Sequence, residues 1–397
     1  MPAFTGQLRS NEIFAALFNM IISQEVFADN IAGTYGELVD EARVDGSLYG
    51  DTKLYYSTDA LKSHAWGADS EATNLLAIAR PKAPETQAIV LDVFRQIDLT
   101  VDDYLSKRAW GNEGAFSSFN SIMLGWIRNT KRIYDSTTYN AYIGTAVSLA
   151  NRATVSVPVS TLISSASTQE EANRLTAEGI AETVADLFVD LKDVSRDFND
   201  YEHIRSYNES DLKVVWNSKW VNKIRKVDLP TIFHKDGLIE KFEERILPAR
   251  YFGTVVDATT ASGFTYNAST NPTGPLTDSS NDLIYTYRTG GPKVRALVEQ
   301  EVTVSGTTYH LFAGDELPAS ALVYDDSASE FVIACYVEDA NVIAIVMHNR
   351  SVPFMSAFEV GTSFFNGKSL TTNHYLTWGH NTIEYLKGKP FIRVVAA

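Results

Sequence analysis

Residues 89–101 read IVLDVFRQIDLTV and residues 113–142 read EGAFSSFNSIMLGWIRNTKRIYDSTTYNAY, and the succession of these two stretches decides the architecture. In the first, Ile89, Leu91, Val93, Ile97, Leu99 and Val101 fall at odd positions, while Asp92, Gln96, Asp98 and Thr100 fall at even ones. Side chains alternate between the two faces of a strand, so this spacing predicts one long, half-buried strand. In the second, Phe116, Phe119, Met123, Trp126, Ile127, Ile133 and Tyr134 recur at three and four residues with no proline among them. That period predicts a helix. At ~1.5 Å per residue it runs some ~40 Å, longer than a typical domain helix, and serves as the backbone of one domain. Trp126 is expected in its buried stripe, where truncation to alanine costs about 3–5 kcal/mol. Between the two stretches, Thr100 with Asp103 is expected to cap a short helix through Lys107.

Upstream, residues 11–29 carry Ile13, Phe14, Leu17, Phe18, Ile21, Ile22 and Val26 near helical spacing. They predict an amphipathic helix, packed in the core or docked on a neighbouring subunit. From Leu38 to Gln87 the pattern weakens into short polar and aromatic pieces, with Gly46, Gly50, Gly67 and the run ARPKAP at 79–84. Such a segment reads as extended, with turns and little core of its own. Tyr55, Tyr56, Trp66 and Leu75, with Arg80 beside them, are therefore candidate contacts to another subunit, since aromatic residues and arginine are enriched at interfaces.

Downstream, a polar stretch at 156–167 precedes a second helix, opened by Ser167 or Thr168 with Glu170 or Glu171 and carried through Leu175, Ile180, Val184, Leu187, Phe188 and Leu191. Leu212–Trp216 reads as a strand and Ser218–Arg225 as a short helix, with Leu229-Pro230 ending it. Strands are expected at 251–256, 283–287, 294–304, 331–337 and 342–347, around a Ser/Thr/Asn/Gly/Pro-rich surface loop at 257–282. Helices early and strands late give an α+β chain.

With 397 residues, of which 45% are hydrophobic, the chain can fill real cores. No stretch approaches the ~18 consecutive apolar residues of a membrane span. The N-terminus lacks the charged head and apolar run of a signal peptide, so a soluble chain made in the cytosol is expected. Cys335 is the only cysteine, which excludes an internal disulfide and zinc sites of the multi-cysteine kind. Set in the apolar run 331–337, it reads as a small buried hydrophobe. A net charge of −15, from 34 Lys and Arg against 49 Asp and Glu, argues against strong affinity for bare nucleic acid.

The chemistry-bearing patterns are missing. There is no phosphate-cradling or dinucleotide glycine motif, no nucleophile elbow and no His-Glu-x-x-His. The histidines are scattered singly, and His374 and His380, six apart, have no supporting acid, so no metal is expected. Asp197, Asp200 and Glu202 admit an acid/base reading but sit where a solvated turn is expected. The basic concentration of Lys219, Lys223, Arg225, Lys226 and Lys235 reads as intersubunit ion pairing or a solvated face. As a nucleic-acid site it lacks stacking aromatics beyond Trp216 and Trp220.

Two stretches resemble the major capsid proteins of tailed double-stranded DNA phages with the Hong Kong-type capsid fold, especially those of small short-tailed phages. One runs from Leu187-Phe188-Val189-Asp190 through Asp197-Phe198-Asn199-Asp200-Tyr201-Glu202 to Asp211–Trp220 and Leu229–Phe233. It is similar to that family's helix, polar turn, buried strand and following short helix. The other, Ser363–Tyr375, is similar to its aromatic, Asn- and Thr-rich closing hairpin. The resemblance implies an N-terminal arm with an amphipathic helix at 1–45, an extended β-hairpin arm at 46–106 and a peripheral domain with a spine helix at 107–150. It further implies an axial domain at 151–341 and closing strands of the peripheral domain at 342–397. The spine helix should pack on those strands around Phe354–Tyr375. Two departures stand out: no separate scaffolding domain precedes the arm, and 257–282 reads as a local insertion.

As function, the resemblance implies a structural subunit of an icosahedral head that self-assembles around the double-stranded DNA genome, with no catalytic residue, metal or cofactor. The implied partners are other copies of the chain in hexamers and pentamers, a portal and a scaffolding protein, and packaged DNA non-specifically, with no membrane. Because only a short segment precedes the arm, shell size is expected to depend on such a partner chain. The implied location is the virion, assembled in the bacterial host cytoplasm. Lys53, Lys62 and Lys82 lie in the arm, but nothing marks one of them for the lysine–asparagine cross-linking found in part of the family. The other readings are the shell of a cellular nanocompartment of the same fold, distinguished by packaged enzyme in place of DNA, and a β-rich virion adhesin or carbohydrate-active enzyme, which needs a pocket of convergent carboxylates.

Overall fold

A computed structural model describes residues 37–46, 50–63, 80–102, 113–146, 154–225, 243–256, 276–277, 283–285, 293–325 and 327–397. The expected helix at 11–29, the start of a short helix at Asp103 and nearly all of the 257–282 loop lie outside them. In chain order, α1 (Glu37–Glu41), β1 (Arg43–Asp45), β2 (Thr52–Ser57) and β3 (Glu85–Asp102) lead to α2 (Glu113–Thr145). Next come β4 (Thr154–Val157), α3 (Val159–Ser164), α4 (Gln169–Lys192), β5 (Leu212–Asn217), α5 (Ser218–Arg225) and β6 (Glu243–Leu247). Short strands follow: β7 (Gly253–Val255), β8 (Leu276–Thr277), β9 (Leu283–Ile284), β10 (Val294–Ala296), β11 (Gln300–Val304), β12 (Thr307–Leu311), β13 (Leu322–Asp325), β14 (Glu330–Phe331) and β15 (Cys335–Glu338). The chain closes on β16 (Val342–His348), β17 (Phe354–Asn366), β18 (Thr371–Asn381) and β19 (Phe391–Ala396).

The alternating stretch is indeed one strand, 18 residues long. It lies in a five-stranded sheet of order β1-β17-β18-β3-β2, pairing β2 over Glu85–Val90 and β18 over Leu91–Asp102. Because the strand continues to Asp102, Thr100 is not a helix cap; its hydroxyl donates to Asn373 Oδ1 across the sheet, at 2.7 Å. The spine helix α2 lies on this sheet. Ile127 and Tyr134 pack on Leu376, Trp378, Ile97 and Leu99, with the Tyr134 ring edge-on to Trp378 at 5.6 Å and its hydroxyl 2.8 Å from His380 Nε2. Farther along, Tyr139 packs edge-on against Phe354 at 6.1 Å and donates its hydroxyl to the Val352 carbonyl.

The expectation for Trp126 is overturned: it is 48% exposed. Adjacent residues of a helix point ~100° apart, and Ile127, 7% exposed, takes the inward direction at this turn. Trp126→Ala should accordingly cost under about 1 kcal/mol by urea denaturation.

A second five-stranded sheet has the order β4-β19-β16-β5-β6. All seven residues of β16 are buried, because both sheet faces are covered, and this is why 342–347 reads as a continuous apolar run. On one face α4 lays Ile180, Val184, Leu187, Phe188 and Leu191 over Val214, Ile343, Val346 and Val394. On the other, Leu38 and Val39 of α1 and Tyr139 and Ile143 of α2 meet Val215, Ile345 and Met347. The expected start of α4 holds as a capping box. Thr168 accepts the Glu171 N–H through its hydroxyl, and the Glu171 carboxylate accepts the Ser167 N–H. The preceding polar stretch is not a bare linker: it forms edge strand β4 and helix α3.

The chain passes from the second sheet to the first at 349–353 and returns at 382–390, so 342–397 supplies strands to both. At this crossing lies His348, 8% exposed, whose Nδ1 accepts the Arg350 N–H at 3.0 Å and whose Nε2 is 3.3 Å from Lys389 Nζ. Burial first, then the Lys389 charge, holds its pKa down to about 4, with Arg350 acting the same way and Asp211 opposing. The unfolded chain, titrating near 6.5, binds more protons in between. The stability from neutral His348 is thus present above pH 6.5 and is lost as the pH falls toward about 4. His348→Gln should decline less steeply in urea midpoint across that window than the parent chain.

The remaining strands enclose a third core of Val294, Ala296, Val302, Leu311, Leu317, Val323, Ile333 and Cys335. Several expected strands are shorter or split. The stretch 294–304 breaks between β10 and β11 where Leu297 turns to donate to the Ala334 carbonyl. That at 331–337 breaks where Val332 donates to Val323. The strand expected at 283–287 is described only as β9, and that at 251–256 is β7, preceded by a 3-10 turn at Ala249–Tyr251. β11 and β12 form a hairpin whose turn residues Ser305 and Gly306 both take positive φ, 51° and 82°.

Candidate assembly surface

In the β2–β3 ladder, Thr52 stands opposite Val90, Leu54 opposite Ala88 and Tyr56 opposite Thr86. These residues share one face, and burial alternates strictly along β2. The opposite face turns inward, where Tyr55 packs partly buried on the cluster of Ile89, Leu91, Met355, Ala357 and Leu386. The first face is exposed: Tyr56 is 64% exposed, Leu54 53% and Val90 40%. Together with Ala88 they form an apolar face, and Leu61, 80% exposed, follows after the end of β2.

The hairpin is nonetheless anchored. Gln87 donates to the Tyr385 carbonyl and accepts the Lys387 N–H, both at 2.9 Å. Ser57 Oγ lies 2.8 Å from His203 Nδ1, and the Arg205 guanidinium donates to the Thr58 carbonyl. Asp59 accepts the Ile204 N–H at 3.0 Å and the Arg196 guanidinium at 2.8 Å, which together hold its carboxyl well below the usual range. The hairpin is thus fixed on one face and carries exposed apolar groups on the other.

Of the residues singled out from the sequence, Tyr56 lies on this face and Tyr55 on the inward one. Arg80 is exposed where the chain returns toward β3. Trp66 and Leu75 lie outside the described residues. The sequence reading passed over Leu54 and Val90, although their spacing two apart from Thr52 and Tyr56, and from Ala88, was the available signal. It also passed over a second exposed apolar group on the β17–β18 hairpin: Val360 at 42%, Phe364 at 63%, Phe365 at 54% and Leu370 at 43%.

Reactive groups are tied into structure. His380 is stacked on Phe354 at 5.1 Å and bonded to Tyr134, and burial lowers its pKa. Burial pushes the Cys335 thiol up to about 12. Asp135, 1% exposed, accepts Lys131 at 2.8 Å and Arg43 at 3.1 Å, which ties β1 to the spine helix. Among the described residues no group of three His, Cys, Asp or Glu is placed to hold a metal, and no helix is long and apolar enough to cross a membrane. Lys219 is exposed, while Lys226 and Lys235 lie outside the described residues.

A spine helix on a sheet of long strands, a second sheet covered on both faces and a projecting hairpin make up the Hong Kong-type capsid fold, the fold of phage head shells. A chain of the Staphylococcus phage Andhra capsid structure superposes with a TM-score of 0.56 at 12% identity, over 94% of this chain and 87% of that one. A chain from a structure of the head fiber and inner core protein gp22 of native bacteriophage P68 gives 0.58 at 10% identity, with the same coverage of 94% and 87%. The family model of the Phi29-like phage major capsid protein matches residues 5–392, and the chain belongs to that family. It is a structural subunit of the shell of a phage head. A search of curated proteins returned no match.

Proposed function

We propose that the chain closes an icosahedral shell around a double-stranded DNA genome by forming hexamers and pentamers in which the β2–β3 arm of each subunit covers a neighbour. The observation that carries this reading is the apolar face of Leu54, Tyr56, Ala88 and Val90 on a hairpin whose other face is anchored. The role is structural, without catalysis or cofactor. Portal and scaffolding proteins are its partners in setting shell size, and assembly takes place in the host cytoplasm. The peripheral domain comprises the β1-β17-β18-β3-β2 sheet with α2. The axial domain is built around the β4-β19-β16-β5-β6 sheet with α4, and the strands from β7 to β15 form an inserted lobe. Negative-stain microscopy of the purified chain tests the proposal: closed particles or flat capsomer sheets support it, and dispersed monomers at all concentrations overturn it.

A further inference from the structure

The spine helix and the sheet beneath it form a plate, and one long edge of that plate is bare. β1 pairs β17 only from Phe354 to Ser356, where Gly46 donates a further hydrogen bond to the Ser356 carbonyl. A bulge follows between Ser356 and Glu359, and from Glu359 to Asn366 the strand runs in unbroken register with β18 on its inner side. Among the described residues no strand pairs its outer side there. Every residue from Glu359 to Phe365 is exposed. An unpaired edge offers a row of N–H and C=O groups to any second strand, and soluble proteins blunt such edges with proline, lysine, a bulge or a very short strand. Here the bulge comes before the free stretch, which itself holds no proline or lysine. Its one charge, Glu359, turns to Lys131 at 3.5 Å.

The residues along this edge fit a second copy of the same strand. Register with β18 and β3 places Val360, Thr362 and Phe364 on the face away from α2. Set antiparallel to itself about a two-fold axis at Thr362, the strand brings Val360 of each copy opposite Phe364 of the other, and Gly361 opposite Ser363. Opposed β-branched and aromatic residues stabilise a ladder, whereas like charges opposite each other weaken it. Glu359 comes opposite Phe365 and never opposite itself. Sliding one strand by two residues toward the turn sets Val360 against Asn366 and Phe364 against Thr362, and sliding it the other way runs Phe364 into the bulge. One register is thus self-complementary, as an isologous contact requires. We propose that β17 is a self-pairing edge, through which two shell subunits join their sheets into one across a two-fold axis centred on Thr362. A single strand ladder is a small contact beside the ~1,600 Å² of a standard interface, so it forms among subunits already gathered in a shell. It is separate from the arm, whose strand β2 lies at the opposite edge of the sheet.

Disulfide trapping in assembled shells tests the register. Residues directly opposed in an antiparallel ladder have Cα atoms ~4.5–5.5 Å apart, within the range that a disulfide spans. Thr362 meets its own copy, so Thr362→Cys should give disulfide-linked dimers on a non-reducing gel after mild oxidation. Ser363→Cys has its own copy two positions along, roughly 8 Å away and beyond bridging distance, and should give about tenfold less dimer. In the double variant Val360→Cys/Phe364→Cys the dimer should return. Cys335, 1% exposed, stays out of reach in all of them. No dimer from Thr362→Cys, or equal yields from Thr362→Cys and Ser363→Cys, overturns the inference. Where a variant yields no shells, the purified subunit is oxidised at increasing concentration and read by the same two outcomes. A parent chain that gives no shells overturns the arm-based assembly, and the subunit experiment then decides the pairing alone.

Discussion

Replacing Leu54 and Tyr56 together by serine is expected to abolish shell assembly while leaving the subunit folded. Both side chains are more than half exposed, so little of the subunit's own stability depends on them. Covering a Leu or aromatic side chain from half exposure contributes about 0.75–1.5 kcal/mol, half the value for full burial. The pair then contributes ~1.5–3 kcal/mol to each arm contact, a factor of ~10–150 in its association constant. In the proposed shell every subunit both extends an arm and receives one, so the loss recurs at each contact. Tyr55→Ser provides the contrast: it removes packing from the Ile89, Leu91 and Met355 cluster and should lower the urea midpoint first. Sedimentation and microscopy read the assembly, and particle yield at the parent level from Leu54→Ser/Tyr56→Ser would show that this face is not an interface.

Two glycines of the spine helix should respond to alanine with opposite signs. At Gly144 an added Cβ would lie 2.0 Å from the Tyr251 carbonyl oxygen and 3.2 Å from the Phe252 nitrogen, both backbone atoms of the turn that enters the third core. Relief requires moving either the helix or that turn, and Gly144→Ala should cost about 3 kcal/mol or more. At Gly125 nothing lies within 4 Å of an added Cβ. There the substitution only raises helix propensity, and Gly125→Ala should stabilise by about 0.5–1 kcal/mol. Thermal or urea denaturation of the two variants reads the difference, and a mild cost at Gly144 would mean that helix and turn are not locked together.

The long elements were legible because burial of a single face stamps a period on the residues. The alternation from Ile89 to Val101 became β3, the helical spacing from Glu113 became α2, and Thr168 with Glu171 marked the start of α4. What the pattern could not supply was the direction of neighbours within a stripe. Trp126 and Ile127 are equally apolar, and only the position of Leu376 and Trp378 beneath the helix selects Ile127. The short strands were blurred for another reason. Runs such as 294–304 stay apolar through a turn, because the residues on both sides of the break enter the same core. At the arm, where the sequence shows no long period, Tyr56 is 64% exposed while Tyr55 is partly buried on the Ile89 and Leu91 cluster. The division of Tyr55 from Tyr56 needed the register with β3, which a reading for interfaces alone had no means to assign.

One strand serves both the arm and the plate. β3 pairs β2 over its first residues and β18 over the rest, with one bulge where His380 pairs Val93 and Asn381 pairs Leu91. When internal pressure stretches a shell, tension carried by the arm enters along the axis of β3. The hydrogen bonds to β18 are then loaded in shear, all together, and none can be peeled open from an end. If the arm covers a neighbour as proposed, such a joint yields only when the ladder slips as a whole, so the backbone of β3 and its hydrogen bonds to β18 bear the load between neighbours.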